Sequence, residues 1–153
     1  MDALGQESLK RIYSHACNTY PEECCGFVFA DGTVHIGINI QSELNQRQPR
    51  IHKRTAATGY TFSVADTLAM NRSFRGGNPA VVIYHSHPDV GAYFSREDEN
   101  KALFMGQPAY PVAYLVVDVC NAQVRAAKLF EWNGNCFTCT RTFRVNEKPQ
   151  QYL

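Results

Sequence analysis

The chain lacks a strong charge of either sign and any long apolar run. Its 153 residues carry 15 Lys and Arg against 14 Asp and Glu, so the formal net charge is +1. Such a balance gives no general basis for binding nucleic acid or an anionic membrane surface. No segment approaches the roughly 20 apolar residues of a membrane-spanning helix. The N-terminal residues MDALGQESLKRIY contain acids and no apolar core, so we expect no secretory signal peptide and a cytoplasmic location.

The sequence also lacks a disulfide framework, although it contains six cysteines. Cys24 and Cys25 are adjacent in an apolar run, and Cys17 and Cys120 lie in apolar segments, which favours reduced thiols in the core. The CFTC motif at 136–139 has no second pair to complete a structural zinc site. On a strand, residues three apart face opposite sides. We therefore expect no metal or redox role for this pair, and a redox protein that uses it is the alternative.

The patterns that are present indicate one α/β domain with a mixed β-sheet flanked by helices. Apolar residues make up 44% of the chain, enough to build a core at this length, and no repeat or linker divides it. We expect the domain to span residues 1–143 and residues 144–153 to form a flexible tail. The periodicity predicts helices over 4–19, 64–74 and 95–104, and strands over 24–30, 33–40, 60–62, 79–87, 110–119, 122–132 and 136–143.

Two segments between these elements have distinct chemistry. Asp31-Gly32 separates two β-rich runs and predicts a tight hairpin. Residues 41–59 are polar and irregular, which predicts an exposed, mobile loop. Its basic stretch from Arg47 to Arg54 is a candidate contact for an acidic protein partner, and a merely solvated loop is the alternative.

Two histidines at the end of a predicted strand are the first candidates for chemistry. In a strand over 79–87, His85 and His87 point to the same face because side chains alternate. Imidazole nitrogens are good zinc ligands, and a rigid strand aims both of them in advance. A third ligand would leave one tetrahedral position open for water, as in catalytic zinc sites.

The segment after this strand can supply that ligand. Pro88 and Gly91 allow the chain to turn back, and Ser95 followed by Asp98 marks a helix start. A Ser-x-x-Asp sequence is also typical of an ordinary capped helix, a near relative of the capping box. The two interpretations are compatible, since a carboxylate in the first helical turn can also face a metal ion.

The stretch HSHPDVGAYFSRED resembles the motif of JAMM (MPN-plus) metalloproteases, His-x-His followed after seven residues by Ser-x-x-Asp. The same family places a glutamate upstream in a Pro-x-Glu-x-x-Gly context, and PEECCG at 21–26 supplies Glu23. The resemblance extends from the first helix to about Phe143. It implies a single MPN domain, JAB-like and related to the cytidine-deaminase fold, with a curved mixed sheet.

The resemblance also implies the roles of individual residues. His85, His87 and Asp98 would bind Zn²⁺ together with a water. Glu23 would be the general base that takes the proton of this water and passes it to the leaving amine. Ser95 would donate a hydrogen bond to the developing oxyanion.

The implied substrate is a ubiquitin-like or sulfur-carrier protein, cleaved at the amide bond that follows its C-terminal diglycine. A phage-tail or other small-substrate JAMM hydrolase and a non-catalytic MPN binding module are the alternatives. Glu22 competes with Glu23 as the base, although strand alternation sends the two side chains to opposite faces. His15, His35 and His52 have no partners at useful spacing, and we expect surface or structural roles for them.

Overall fold

The structure is a computed structural model that describes residues 2–145. Within this range lie the helices α1 (Gln6–Thr19), α2 (Gln41–Arg47), α3 (Val64–Ser73) and α4 (Arg96–Ala102). The strands are β1 (Cys25–Phe29), β2 (Val34–Ile36), β3 (Ala80–Pro88), β4 (Leu103–Phe104), β5 (Gln107–Pro108), β6 (Ala113–Cys120), β7 (Gln123–Trp132) and β8 (Phe137–Arg144). Residues 146–153 of the predicted tail lie outside the described residues.

The main sheet has the order β2-β1-β3-β6-β7-β8. β3 and β6 are parallel and the other neighbouring pairs are antiparallel, so the prediction of a mixed sheet is confirmed. The segment from β3 to β6, which contains α4, is the crossover that a parallel pair requires. This crossover brings α4 back to the carboxyl end of β3.

Helices cover both faces of the sheet because its central strands direct apolar side chains to each face in turn. On one face, Ile12 and Ala16 of α1 pack against a cluster that includes Val82 and Tyr84. On the other face, Met70 of α3 and Ala102 of α4 pack in a cluster with Ile83 of β3 and Val116 of β6. From Val82 onward, residues of β3 with odd numbers therefore face α3 and α4.

The first hairpin forms as predicted, with β1 antiparallel to β2 and Gly32 at a φ of 90° in the turn. Gly26 of β1 leaves no room for a side chain, since a Cβ atom there would overlap the ring of Tyr84 and the carbonyl oxygen of His35. This close approach explains why a glycine ends the PEECCG segment.

The prediction of an irregular loop over 41–59 is wrong for its first part, where α2 forms. Its first residue, Gln41, is buried, and its backbone N–H donates to the side chain of Asn39 at 3.0 Å. Glu43 and Arg47 form an ion pair one helical turn apart. The polar composition concealed these local interactions, which start and support a short helix.

Other boundaries also differ from the predictions. The expected strand over 60–62 is reduced to a single bridge between Asn39 and Phe62. α4 ends at Ala102 because Leu103 adopts an extended conformation and starts the small β4–β5 hairpin. β6 starts at Ala113 rather than 110, after Pro111, which has no N–H to give to a ladder.

The cysteines lie as the sequence analysis predicts. The six cysteines are free thiols, with Cys24 and Cys25 buried and Cys139 exposed. Burial raises the pKa of the Cys24 thiol to about 12, so this thiol stays protonated and unreactive. None of the helices within residues 2–145 is long and apolar enough to cross a membrane.

Candidate metal centre

The two histidines of β3 converge at its carboxyl end, as their spacing predicts. His85 is fully buried and His87 is 4% exposed. Their Nε2 atoms lie 3.1 Å apart. Both rings face the side of the sheet that carries α4, because they share the odd-numbered register of Ile83.

Asp98 joins the histidines from the first turn of α4. Its Oδ2 atom lies 3.2 Å from Nε2 of His85 and 3.2 Å from Nε2 of His87. The same oxygen accepts a hydrogen bond from the backbone N–H of Ser95, and the Ser95 hydroxyl oxygen accepts one from the N–H of Asp98. The structure therefore contains a complete capping box whose carboxylate also faces the histidines.

Glu23 reaches the same cluster through the strand register. β1 runs antiparallel to β3 with Cys25 opposite His85, so the residue two before Cys25 lies level with His87. One carboxylate oxygen of Glu23 and one nitrogen of each histidine lie within 4.8 Å of one another. The backbone of Glu23 is fixed by the carbonyl of Ala56, which accepts its N–H at 2.7 Å.

The two neighbouring glutamates differ as expected, although both precede β1 and strand alternation does not set their directions. Glu23 is 5% exposed, and burial raises the pKa of its carboxyl group to about 8. Glu22 is exposed, and its carboxylate lies 3.5 Å from the hydroxyl group of Ser42, away from the cluster. Geometry therefore separates the residue that faces the histidines from its neighbour.

The electrostatics of the cluster keep Asp98 ionised beside the two histidines. Burial opposes the ionisation of Asp98, but its contacts with His85 and His87 hold its pKa well below the usual range. Burial also lowers the pKa of His85. For His87 burial acts in the same direction, yet the hydrogen bond to Asp98 outweighs it and the pKa is raised.

The donor set fits a zinc ion. Nδ1 of His87 lies 3.0 Å from the carbonyl oxygen of Gly91, which can only accept, so Nδ1 carries a proton and Nε2 of the neutral ring directs a lone pair at the cluster. Lone pairs this close need a proton or a cation between them. A tetrahedral zinc site with bonds of about 2.0–2.1 Å places its ligand atoms about 3.3 Å apart, close to the three separations between His85, His87 and Asp98.

A cleft with a volume of about 160 Å³ opens onto this cluster. Besides Glu23, His87, Ser95 and Asp98, its lining includes residues that the sequence analysis did not assign to the site, namely Arg54, Tyr60, Tyr93, Glu97 and Lys101. Lys101 follows Asp98 by three residues on α4, a spacing that could have indicated a shared helix face.

The basic stretch contributes one side chain to this cleft. Arg54 forms an ion pair with Glu97 of α4, and its guanidinium group also donates to the carbonyl oxygen of Thr58 at 2.9 Å. Arg47 pairs with Glu43 of α2 instead.

The other three histidines lie away from the cluster. His15 shares a hydrogen bond of 2.7 Å with the hydroxyl group of Tyr84, and His35 contacts the carboxylate of Asp66 at 2.8 Å. These contacts agree with the structural roles expected for them. His52 is half-buried.

Comparisons with known proteins agree with the fold and the motif. The model of a family described as prokaryotic homologues of the JAB domain matches residues 5–133. No curated protein matches the chain.

Solved structures provide the second comparison. The solution structure of protein DSY2949 from Desulfitobacterium hafniense is similar with a TM-score of 0.61 and 17% identity, over 88% of this chain and 86% of that chain. A solution structure of a protein from Salinibacter ruber is similar with a TM-score of 0.53 and 24% identity, over 97% of this chain and 94% of that chain. At these identities the two structures support the fold alone.

Proposed function

The chain belongs to the family of prokaryotic JAB-domain homologues, and from that premise we propose that it is a zinc-dependent peptidase or isopeptidase. Its substrate would be a ubiquitin-like or sulfur-carrier protein, cleaved at the amide bond after the C-terminal diglycine. The observation that carries the proposal is the convergence of His85, His87 and Asp98 within 3.2 Å of one another, with Glu23 beside them.

In this proposal His85, His87 and Asp98 hold the metal ion, and the surrounding side chains do the remaining chemistry. When bound, Zn²⁺ supplies Lewis acidity that lowers the pKa of water towards neutrality and polarises an amide carbonyl. Three protein ligands leave a position for water or substrate, as in other catalytic zinc sites. His87 is oriented by the hydrogen bond from its Nδ1 to Gly91.

Glu23 and Ser95 take the two remaining roles. The carboxylate of Glu23 accepts a proton from the attacking water and then delivers it to the leaving amine. Burial raises the pKa of this carboxyl group to about 8 in the metal-free protein, and a dication bound beside it would lower that pKa and favour the carboxylate that accepts the proton. The oxygen of the Ser95 hydroxyl accepts from the Asp98 N–H, so its own proton is free to donate to the developing oxyanion.

The shape of the cleft supports a narrow polypeptide tail as the substrate. The cleft is small, with a volume of about 160 Å³, and a diglycine segment has no side chains to exclude. Arg54 and Lys101 line the same cleft together with Glu23, Glu97 and Asp98, and Arg54 is paired with Glu97, so the fit of a tail there rests on shape and not on an excess of positive charge.

The experiment is incubation with sulfur-carrier proteins that bear short C-terminal extensions after diglycine, followed by measurement of intact mass. We expect the wild type to release the extension and leave a diglycine end. The Glu23→Gln variant should retain zinc and lose most of its turnover, while Glu22→Gln should behave like the wild type.

Each alternative function gives a different result. Zinc-loaded protein that cleaves small amides and no carrier would make this a small-substrate hydrolase. A wild type that binds no zinc would indicate a non-catalytic module. A reversible two-electron couple that survives His85→Ala but disappears in Cys139→Ser would indicate a redox protein.

A further inference from the structure

The two histidines of the metal centre are held in different ways. Nδ1 of His87 donates to the carbonyl oxygen of Gly91, the usual arrangement that fixes the tautomer and the ring orientation of a zinc-binding histidine. Nδ1 of His85 is buried and has no hydrogen-bond partner among the residues that the structure describes. Another contact must therefore fix the ring of His85.

The ring of Tyr60 provides that contact. Its centroid lies 4.6 Å from the centroid of His85, and the two planes are inclined by only 25°, a stacked arrangement. Tyr60 is 6% exposed, so its ring has little freedom to move away. A stacked aromatic neighbour restricts rotation of the imidazole ring about its Cβ–Cγ bond.

Lys101 fixes Tyr60 in turn. Its ammonium group lies 4.4 Å from the centroid of the Tyr60 ring, within the range of a cation–π interaction. The same group donates a hydrogen bond to the backbone carbonyl of Tyr60. Lys101 lies on α4, the helix that carries Asp98, so the contact also links the Tyr60 segment to the helix of the third ligand.

We propose that Tyr60 and Lys101 are positioning residues for the metal centre, with Tyr60 orienting His85 by stacking in place of the missing hydrogen bond. This inference rests on the proposed function only in that it requires zinc at His85, His87 and Asp98. Tyr60 acts through its ring alone, because no hydrogen bond joins its hydroxyl group to another described side chain.

Zinc affinity, measured by competition with a chromophoric chelator, tests the role of Tyr60. Tyr60→Leu should raise the Kd for zinc about 10-fold or more, the range seen when groups that orient a ligand are removed. Tyr60→Phe keeps the ring and should stay near the wild-type value. Phe130→Leu removes an aromatic ring from the core on the same face of the sheet, so it should lower the free energy of unfolding and leave the Kd unchanged.

Lys101→Met distinguishes a positioning role of Lys101 from a purely electrostatic one, because the two roles change the zinc affinity in opposite directions. Removing a positive charge close to a dication should tighten zinc binding if Lys101 acts only through its charge. The positioning role predicts weaker binding instead, together with altered intensity of the visible bands of the cobalt-substituted protein, which report ligand geometry. Tighter zinc binding in Lys101→Met would overturn the role of Lys101.

The outcomes distinguish this inference from the proposed function. If folded Tyr60→Leu binds zinc as tightly as the wild type, or weakens no more than Phe130→Leu, the role of Tyr60 is refuted while hydrolysis of a carrier can still stand. If the wild type binds zinc and cleaves no carrier, the proposed substrate is wrong while the shift in zinc affinity still supports Tyr60. A wild type without zinc binding would overturn both.

Discussion

In the metal-free protein, the buried carboxyl group of Glu23 should make folding less favourable as the pH rises. Burial raises its pKa from 4.5 to about 8, whereas in the unfolded chain the group keeps its ordinary value. Between these two values the native state therefore binds one more proton than the unfolded state. The sign follows directly, because stability falls with rising pH wherever the native state binds more protons.

The size of the effect follows from the same two values. The free energy of unfolding of the wild type falls by about 1.4 kcal/mol for each pH unit in this window. Relative to a pH at which Glu23 is protonated in both states, the loss is about 1 kcal/mol at pH 5 and about 4 kcal/mol at pH 7.5. Glu23→Gln keeps the shape of the side chain and cannot ionise. Relative to the wild type, its free energy of unfolding should therefore increase by about 3 kcal/mol between these two pH values, measured by urea denaturation with a chelator present.

Glu22→Gln is the matched control, because it removes the exposed neighbouring carboxylate. It should change the free energy of unfolding by less than about 0.5 kcal/mol at either pH. If the free energies of unfolding of Glu23→Gln and the wild type differ by the same amount at pH 5 and at pH 7.5, the reasoning is refuted. The carboxyl group of Glu23 would then titrate as it does in water.

Three further substitutions test the surroundings of the site. Gly26→Ala should cost about 2 kcal/mol or more in thermal unfolding, because the new methyl group overlaps the Tyr84 ring and the His35 carbonyl. Ser95→Ala should lose about 1 kcal/mol of stability with its cap and about 100-fold or more in kcat on a carrier, with zinc content retained. Burial opposes the ionisation of Asp66, but hydrogen bonds lower its pKa overall, so its contribution is present above the unfolded pKa and is lost as the pH falls through the folded value. Asp66→Asn should therefore cost about 1–3 kcal/mol at pH 7 and much less in acid, measured by urea denaturation.

Each of these predictions has its own contrary result. Gly77 has nothing within 4 Å of an added Cβ atom, so Gly77→Ala should leave stability nearly unchanged. Equal effects at Gly77 and Gly26 would argue against the close packing of β1. Ser95→Ala with full kcat would limit Ser95 to its capping role. A loss of stability in Asp66→Asn that is independent of pH would show that the carboxylate charge is not involved.

The elements with strong local patterns could be predicted from the sequence. The continuous apolar run before His85 indicated β3, and Asp31-Gly32 indicated the hairpin that joins β1 to β2. α2 could not be predicted in this way, because its start depends on the burial of Gln41 and on Asn39, which only the folded chain brings into place. The β4–β5 hairpin was missed for a similar reason, since strands of two residues carry too little pattern to detect.

The residues of the candidate site also differ in how far local sequence patterns predict their positions. Strand parity placed His85 and His87 together, and the helix start placed Asp98 within reach, from local spacing alone. The position of Glu23 beside them depends on the pairing of Cys25 with His85, a register that no local spacing determines. The stacking of Tyr60 on His85 was also out of reach, because it requires the path of the loop before α3.

The stoichiometry and ligands of bound zinc test the central claim most directly. Native mass spectrometry of the zinc-loaded protein should show one zinc ion per chain in the wild type and in Glu23→Gln. The ion should be lost in His87→Ala and bound weakly in Asp98→Asn. A wild type that carries no zinc, or a His87→Ala variant that binds zinc as the wild type does, would contradict the account.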